Sequence, residues 1–228
     1  MEFCRRLGGA SRQNPGCPPA DAPVCFGRSA FHPTAPGCVP VLKIRKSGGT
    51  PMRVTVFGGS APKPNSAEYQ QAFLLGQLLG QNGHTALTGG YIGTMEAVSR
   101  GCAEAGGHVI GITCDEIEAW RPVSANRWVM EEIRYPSIQQ RLQALILECQ
   151  AAIALPGGVG TLAEIVMMWN QLQTHAISTR PLVLVGSGWQ HTFQTLYDWQ
   201  DSYIPPDHRA HLTFADDIQS AFQAIRSS

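Results

Sequence analysis

The sequence predicts an α/β fold in which helices cover both faces of a parallel sheet, and three observations carry that prediction. From residue 52 onward, apolar runs of five or six residues alternate with longer stretches of helical period. Those runs are nearly continuous in hydrophobicity, the pattern of strands buried on both faces. Three glycine-rich turns, FGGSAP (57–62), TGGYIGTME (88–96) and PGGVGTLAE (156–164), stand at the carboxyl ends of such runs. Right-handed crossovers convert this order into a doubly wound, Rossmann-like sheet whose ligands bind at the carboxyl ends of the strands.

In chain order, RVTVF (53–57) reads as a buried strand. A helix follows over 66–83, with Phe73, Leu74 and Leu78 facing inward and Gly83 ending it. HTALT (84–88) is a strand, 93–106 a helix closing at Gly106, and HVIGIT (108–113) a strand. The stretch 127–135 reads as a short strand or as irregular chain. Over 137–150 the pattern is strongly helical, with Ile138, Leu142, Leu145, Ile146 and Cys149 on one face. AAIAL (151–155) is a strand, 161–173 a helix and PLVLVG (181–186) a strand, with helices around 189–201 and 215–226.

Composition changes near residue 51. Residues 1–51 hold half of the sixteen prolines, four of the seven cysteines and seven of the seventeen Lys and Arg. They show neither helical nor strand periodicity, so they read as a disordered basic tail that cannot bury enough apolar surface to order itself. A transit peptide is disfavoured by the prolines and the missing amphipathic pattern. Met52 opens directly onto a strand, and the reading favoured here takes it as the natural start. Residues 52–228 are then the folded domain.

The formal net charge is zero, and the part from residue 52 carries an acidic balance. Both argue against a nucleic-acid footprint. No apolar run is long enough to span a bilayer, and the first residues lack the apolar centre of a secretory signal. The scattered, odd cysteine count fits reduced thiols in a cytoplasmic protein. Without C-x-x-C or His-x-x-His spacing, neither a metal nor a cofactor is expected.

The turns carry the functional signal. Gly58, Gly59 and Ser60 lie in the first, Gly89, Gly90, Gly93 and Thr94 in the second, and Pro156, Gly157, Gly158, Gly160 and Thr161 in the third. Glycine permits close backbone approach, and consecutive N–H groups at a helix start make an anion nest. Three such turns on one edge favour a nucleotide or a phosphorylated sugar. The G-x-G-x-x-G fingerprint is absent after the first strand and no Walker lysine follows any turn, which counts against ordinary dehydrogenases and P-loop enzymes.

PGGVGTLAE resembles the PGGxGTxxE signature of the Lonely guy (LOG) family of cytokinin-activating phosphoribohydrolases. VTVFGGS, TGGYIGTMEA and AGGHVIGI (105–112) resemble its earlier blocks, so the resemblance covers roughly residues 52–187. It implies a Rossmann-like homodimer that hydrolyses the N-glycosidic bond of a nucleoside 5′-monophosphate such as AMP or an N6-modified AMP. It also implies Glu164 and Arg141 as the catalytic pair, with the turn residues named above holding the nucleotide. Many members are misnamed lysine decarboxylases, but from residue 52 onward Lys63 is the one lysine, a poor Schiff-base candidate. The family lysine after the arginine is Leu142 here, its serine is Tyr91 and its final glycine Glu96. These departures motivate a second reading, a non-catalytic nucleotide-binding protein.

The residues alone allow blander roles. Thr161-x-x-Glu164 has the form of a capping box, with Thr161 as N-cap. Arg141 is expected at the edge of an apolar helix face with its head in water. Tyr91 either stacks on a base or packs, and Glu96 either repels an anion or turns outward. Met167, Met168 and Trp169 give their helix a wide apolar surface, read by default as core.

Overall fold

The computed structural model describes residues 50–226. Residues 1–49, nearly all of the segment read as a tail, lie outside the described residues. Seven strands form one all-parallel sheet in the order β4-β3-β2-β1-β5-β6-β7. They are β1 (Arg53–Phe57), β2 (Thr85–Thr88), β3 (Val109–Cys114), β4 (Glu131–Tyr135), β5 (Ala151–Ala154), β6 (Leu182–Val185) and β7 (Thr213–Ala215). The chain winds outward from β1 to β4, then crosses back to lay β5 on the other side of β1. The crevice between the carboxyl ends of β1 and β5 is therefore the topological switch point, where open α/β sheets place their ligands.

Helices sort by face. Val54 and Val56 of β1 face a core built with α1 (Ala67–Gln81), α2 (Thr94–Glu104) and α8 (Ile218–Ala224). Phe57 faces the other core, built with α4 (Ile138–Leu147), α5 (Val159–Gln173) and α6 (Ser187–Trp199). Thr55 also points to that side, and its hydroxyl donates to the Leu145 carbonyl at 2.7 Å, so a polar atom inside the sheet is satisfied by the end of α4. Two short helices, α3 (Asp115–Trp120) and α7 (Pro206–Arg209), complete the described chain with a 3₁₀ turn at Asp201–Tyr203.

The alternation of elements is as the sequence implies, with differences at the margins. The stretch 127–135 resolves into edge strand β4, whose side chains are largely exposed. Its carboxylates and arginine suit an edge that must not recruit another chain. The elements α3, α7 and β7 have no counterpart in the sequence reading, being too short for periodicity to register. In α1 the buried residues are Tyr69, Ala72, Leu75, Gly76, Leu79 and Gly80, with Phe73, Leu74 and Leu78 partly covered. The apolar face of α4 excludes Ile138, which is 49% exposed, and includes Arg141 instead.

Helices α1 and α2 meet through small residues. A Cβ on Gly76 would lie 2.2 Å from the Val98 carbonyl oxygen, and one on Gly101 would lie 2.1 Å from that of Phe73. The two backbones thus touch where side chains normally separate helices. Gly101→Ala is expected to destabilise the fold by about 1–3 kcal/mol, because overpacking outweighs the roughly 1 kcal/mol gained in helix propensity. Denaturant melts measure this, and a variant as stable as the parent would mean that the helices separate at no cost.

Candidate active site

Helix α4 brings a cation to the carboxyl edge of the sheet. Ser137 caps it, accepting from Gln140 N, and the Glu116 carboxylate accepts from Ile138 N at 2.7 Å. One turn later Arg141 points inward, with its side chain only 8% exposed. Its Nε donates to the Ile112 carbonyl of β3 at 2.7 Å, and its guanidinium carbon sits 5.7 Å from the centre of the Tyr91 ring. The expectation of a head in water is overturned. The reason is Gly89, where a Cβ would lie 1.8 Å from Arg141 Nη2, so only the absence of a side chain leaves room for the guanidinium.

Its counter-charge is Glu164 of α5, with Oε1 3.7 Å from Arg141 Nη1 and a side chain 15% exposed. Burial pushes the Glu164 carboxyl up to about 7, against the pull of Arg141. The capping-box reading of this glutamate is wrong. The N-cap of α5 is Gly158, so Thr161 is the third helical residue and Glu164 lies in the second turn. Released from capping, the carboxylate has the buried arginine as its partner.

The three turns interlock through one residue, Gly59. Gly59 N–H donates to Pro156 O at 3.2 Å, and Gly59 O accepts from Thr94 N at 3.0 Å and from the Thr94 hydroxyl at 2.9 Å. Gly93 is the N-cap of α2 at φ +75, and a Cβ there would strike the Gly59 oxygen and Ser60 at 2.6 Å. Gly58 lies against the Thr94 side chain, and Gly157 lies against the buried Thr161. In the first turn of α5, the N–H groups of Val159, Gly160 and Thr161 donate to nothing among the described residues. Gly158 and Gly160 have open space on their Cβ side. The third turn therefore presents unpaired donors at the start of a helix, the arrangement that suits an anion.

Other sequence candidates separate. Gly90 at φ +77 faces β3, and its carbonyl accepts from Asn126, so it braces the turn from behind. Tyr91 packs: its hydroxyl accepts from Cys114 N at 2.8 Å and donates to Cys114 O at 3.1 Å, with Glu118 3.4 Å away. Glu96, partly buried, lies against Tyr69 of α1, whose hydroxyl is pushed up by burial and then by that carboxylate. Met168 and Trp169 are core, whereas Met167 is 40% exposed beside an apolar groove of about 490 Å³.

Two residues near the edge escaped sequence reasoning. Trp189, donating to Leu155 O at 3.1 Å, walls a cavity of about 230 Å³ beside Pro156 and Gly157. Arg121 reaches the first turn from the end of α3, its Nη1 3.4 Å from the Ser60 hydroxyl. Neither stands in a motif, and only tertiary placement brings them here. Among the described residues no His, Cys, Asp and Glu cluster could hold a metal, and no helix is long and apolar enough to cross a membrane.

Residues 95–225 match a family described as "Possible lysine decarboxylase". A rice protein named "Probable cytokinin riboside 5′-monophosphate phosphoribohydrolase" is 38% identical over 127 residues, which cover 54% of this chain and 50% of that one. The cytokinin riboside 5′-monophosphate phosphoribohydrolase of Rhodococcoides fascians is 31% identical over 187 residues, covering 78% of this chain and 91% of that one. The chain thus spans half the length of the rice relative and nearly all of the bacterial one. A molybdenum cofactor binding protein from Rippkaea orientalis shares the fold at TM-score 0.61 and 24% identity, covering 78% of this chain and 96% of that one.

Because burial raises Glu164 above its ordinary value of 4.5, the folded protein holds a proton there up to about pH 7 that the unfolded chain has released. Stability is therefore lost as pH rises through that window. Relative to Glu164→Gln, the parent should lose on the order of 3 kcal/mol between pH 4.5 and pH 8. Parallel stability curves for the two proteins would show that the carboxyl is not desolvated.

Proposed function

Since the chain belongs to the family described as possible lysine decarboxylases, which includes the cytokinin riboside 5′-monophosphate phosphoribohydrolases, we propose that it hydrolyses the N-glycosidic bond of a nucleoside 5′-monophosphate. AMP or an N6-modified AMP is the proposed substrate, with free base and ribose 5-phosphate as products. The observation that carries this reading is the buried Arg141–Glu164 pair, 3.7 Å apart beside the glycine-lined edge. Decarboxylation through a Schiff base is not this chain's chemistry. From residue 52 the one lysine is Lys63, exposed in the loop after β1.

Cleavage leaves positive, oxocarbenium-like charge on the ribose. In the proposed mechanism the phosphate rests on the free amides of the third turn, and the ribose lies over Glu164. The ionised Glu164 carboxylate stabilises that charge and takes a proton from water, whose oxygen bonds to the anomeric carbon as the base departs with the glycosidic electron pair; the base takes its proton from solvent and Glu164 returns its own to solvent. Arg141 orients the carboxylate and favours its ionised form. The roles of Gly58, Ser60, Gly89, Gly93, Pro156 and Thr161 toward the nucleotide belong to this proposal, as do a homodimer and a cytoplasmic location. The exposed apolar groove along α5 supports self-association.

The competing reading, a nucleotide binder without chemistry, draws on Leu142, a half-buried hydrocarbon where the resemblance expects a lysine. Incubation with a panel of nucleoside monophosphates should release free base, with the rate rising through about pH 7 as Glu164 ionises. Glu164→Gln should lower kcat about 10²-fold or more. An unaltered rate in that variant removes Glu164 from the mechanism. Absent base release with an AMP-dependent rise in Tm establishes the binder instead.

A further inference from the structure

Arg121 is the cation at the sheet edge that the catalytic pair does not use. It closes α3, with its backbone N–H donating to Ile117 O at 2.9 Å. Its side chain turns back over the β1 turn, with Nη1 3.4 Å from Ser60 Oγ and the guanidinium 5.5 Å from the Trp120 ring. The Nε of Arg121 is buried and has no hydrogen-bond partner among the described residues. A buried donor on a cation is costly to leave unpaired, so its position calls for an acceptor.

The charge is unpaired as well. Arg53, Arg100, Arg134, Arg141 and Arg209 each face a carboxylate, and Arg121 faces none among the described residues. Its neighbour Ser60 abuts the start of α2, where a Cβ on Gly93 would come within 2.6 Å of Ser60 Cα. The N–H and hydroxyl of Thr94 at that helix start are both spent on Gly59 O, so α2 has donors to spare only beyond its first residue. A guanidinium and a serine hydroxyl thus meet beside the start of α2, with no carboxylate paired to the guanidinium among the described residues.

We propose that Arg121 and Ser60 grip, from the β1 side, the same phosphate monoester that rests on the third-turn amides, with Nε and an Nη of Arg121 donating to two phosphate oxygens as a fork. This rests on the reading that the substrate is a nucleoside monophosphate. It makes Arg121 a residue that distinguishes phosphorylated from unphosphorylated ligands. Truncating it is expected to leave the fold intact, because α3 closes through backbone and the Arg121 side chain makes no ion pair among the described residues.

The test compares the full chain with Arg121→Ala and Arg121→Lys in two measurements. In AMP hydrolysis, Arg121→Ala should raise KM roughly ten- to hundredfold, the range of a lost charge-assisted pair, with kcat within about threefold. Arg121→Lys should fall between, keeping charge without the fork. In thermal melts, ribose 5-phosphate should raise Tm for the parent and not for Arg121→Ala, while ribose moves neither. An unchanged KM, or a fall in kcat at constant KM, overturns the proposal. If the parent releases no base at all, the hydrolase reading falls and the melts decide Arg121 by themselves. A parent shift that Arg121→Ala loses upholds the anchor, and equal shifts or none overturn it.

Discussion

A guanidinium buried at the carboxyl edge of a parallel sheet is the constraint around which this molecule is arranged. Removing the charge of Arg141 from water is expensive, and its surroundings answer that cost in sequence. The Ile112 carbonyl accepts from Nε, the Tyr91 ring lies beneath the guanidinium and the Glu164 carboxylate supplies charge. Gly89 has to be glycine because the space of its side chain is already filled by Nη2. Glu164 is in turn drawn into a site where burial holds its carboxyl near neutrality. A carboxyl poised there can change protonation state at physiological pH, which suits proton transfer.

The rest of the edge is held by backbone. One residue, Gly59, accepts from the start of α2 and donates to the turn before α5, so the elements on opposite faces of the sheet are tied together at this point. That lock spends the donors of Thr94 while leaving the first amides of α5 open. The two helix starts therefore differ in what they can offer an anion, although both follow a glycine-rich turn. This asymmetry leaves unpaired backbone donors at the β5 side of the switch point, while the β1 side offers side chains such as Ser60 and Arg121.

Much of this was legible in the order of residues, and the rest was not, for reasons that particular residues make plain. The strands at 53–57, 84–88, 108–113 and 151–155 announce themselves because both their faces are buried and nearly every position must be apolar. The edge strand β4 hides because one side of it meets water, so its composition is that of a loop. Glu164 illustrates a deeper difficulty. Its spacing from Thr161 is that of a cap, and only the observed helix start at Val159 separates a carboxylate that closes a helix from one that faces a buried arginine.

By itself the sequence determined the alternation of elements, the parallel sheet and the three glycine turns on one edge, since hydrophobic period and backbone freedom are local properties. The tertiary structure decided which of those turns keeps its amides free, which way Arg141 faces and that Arg121 meets Ser60 across sixty residues of chain. These outcomes depend on how α2, α3, α4 and α5 pack around the switch point. The chain carries no short-range record of packing between segments that far apart.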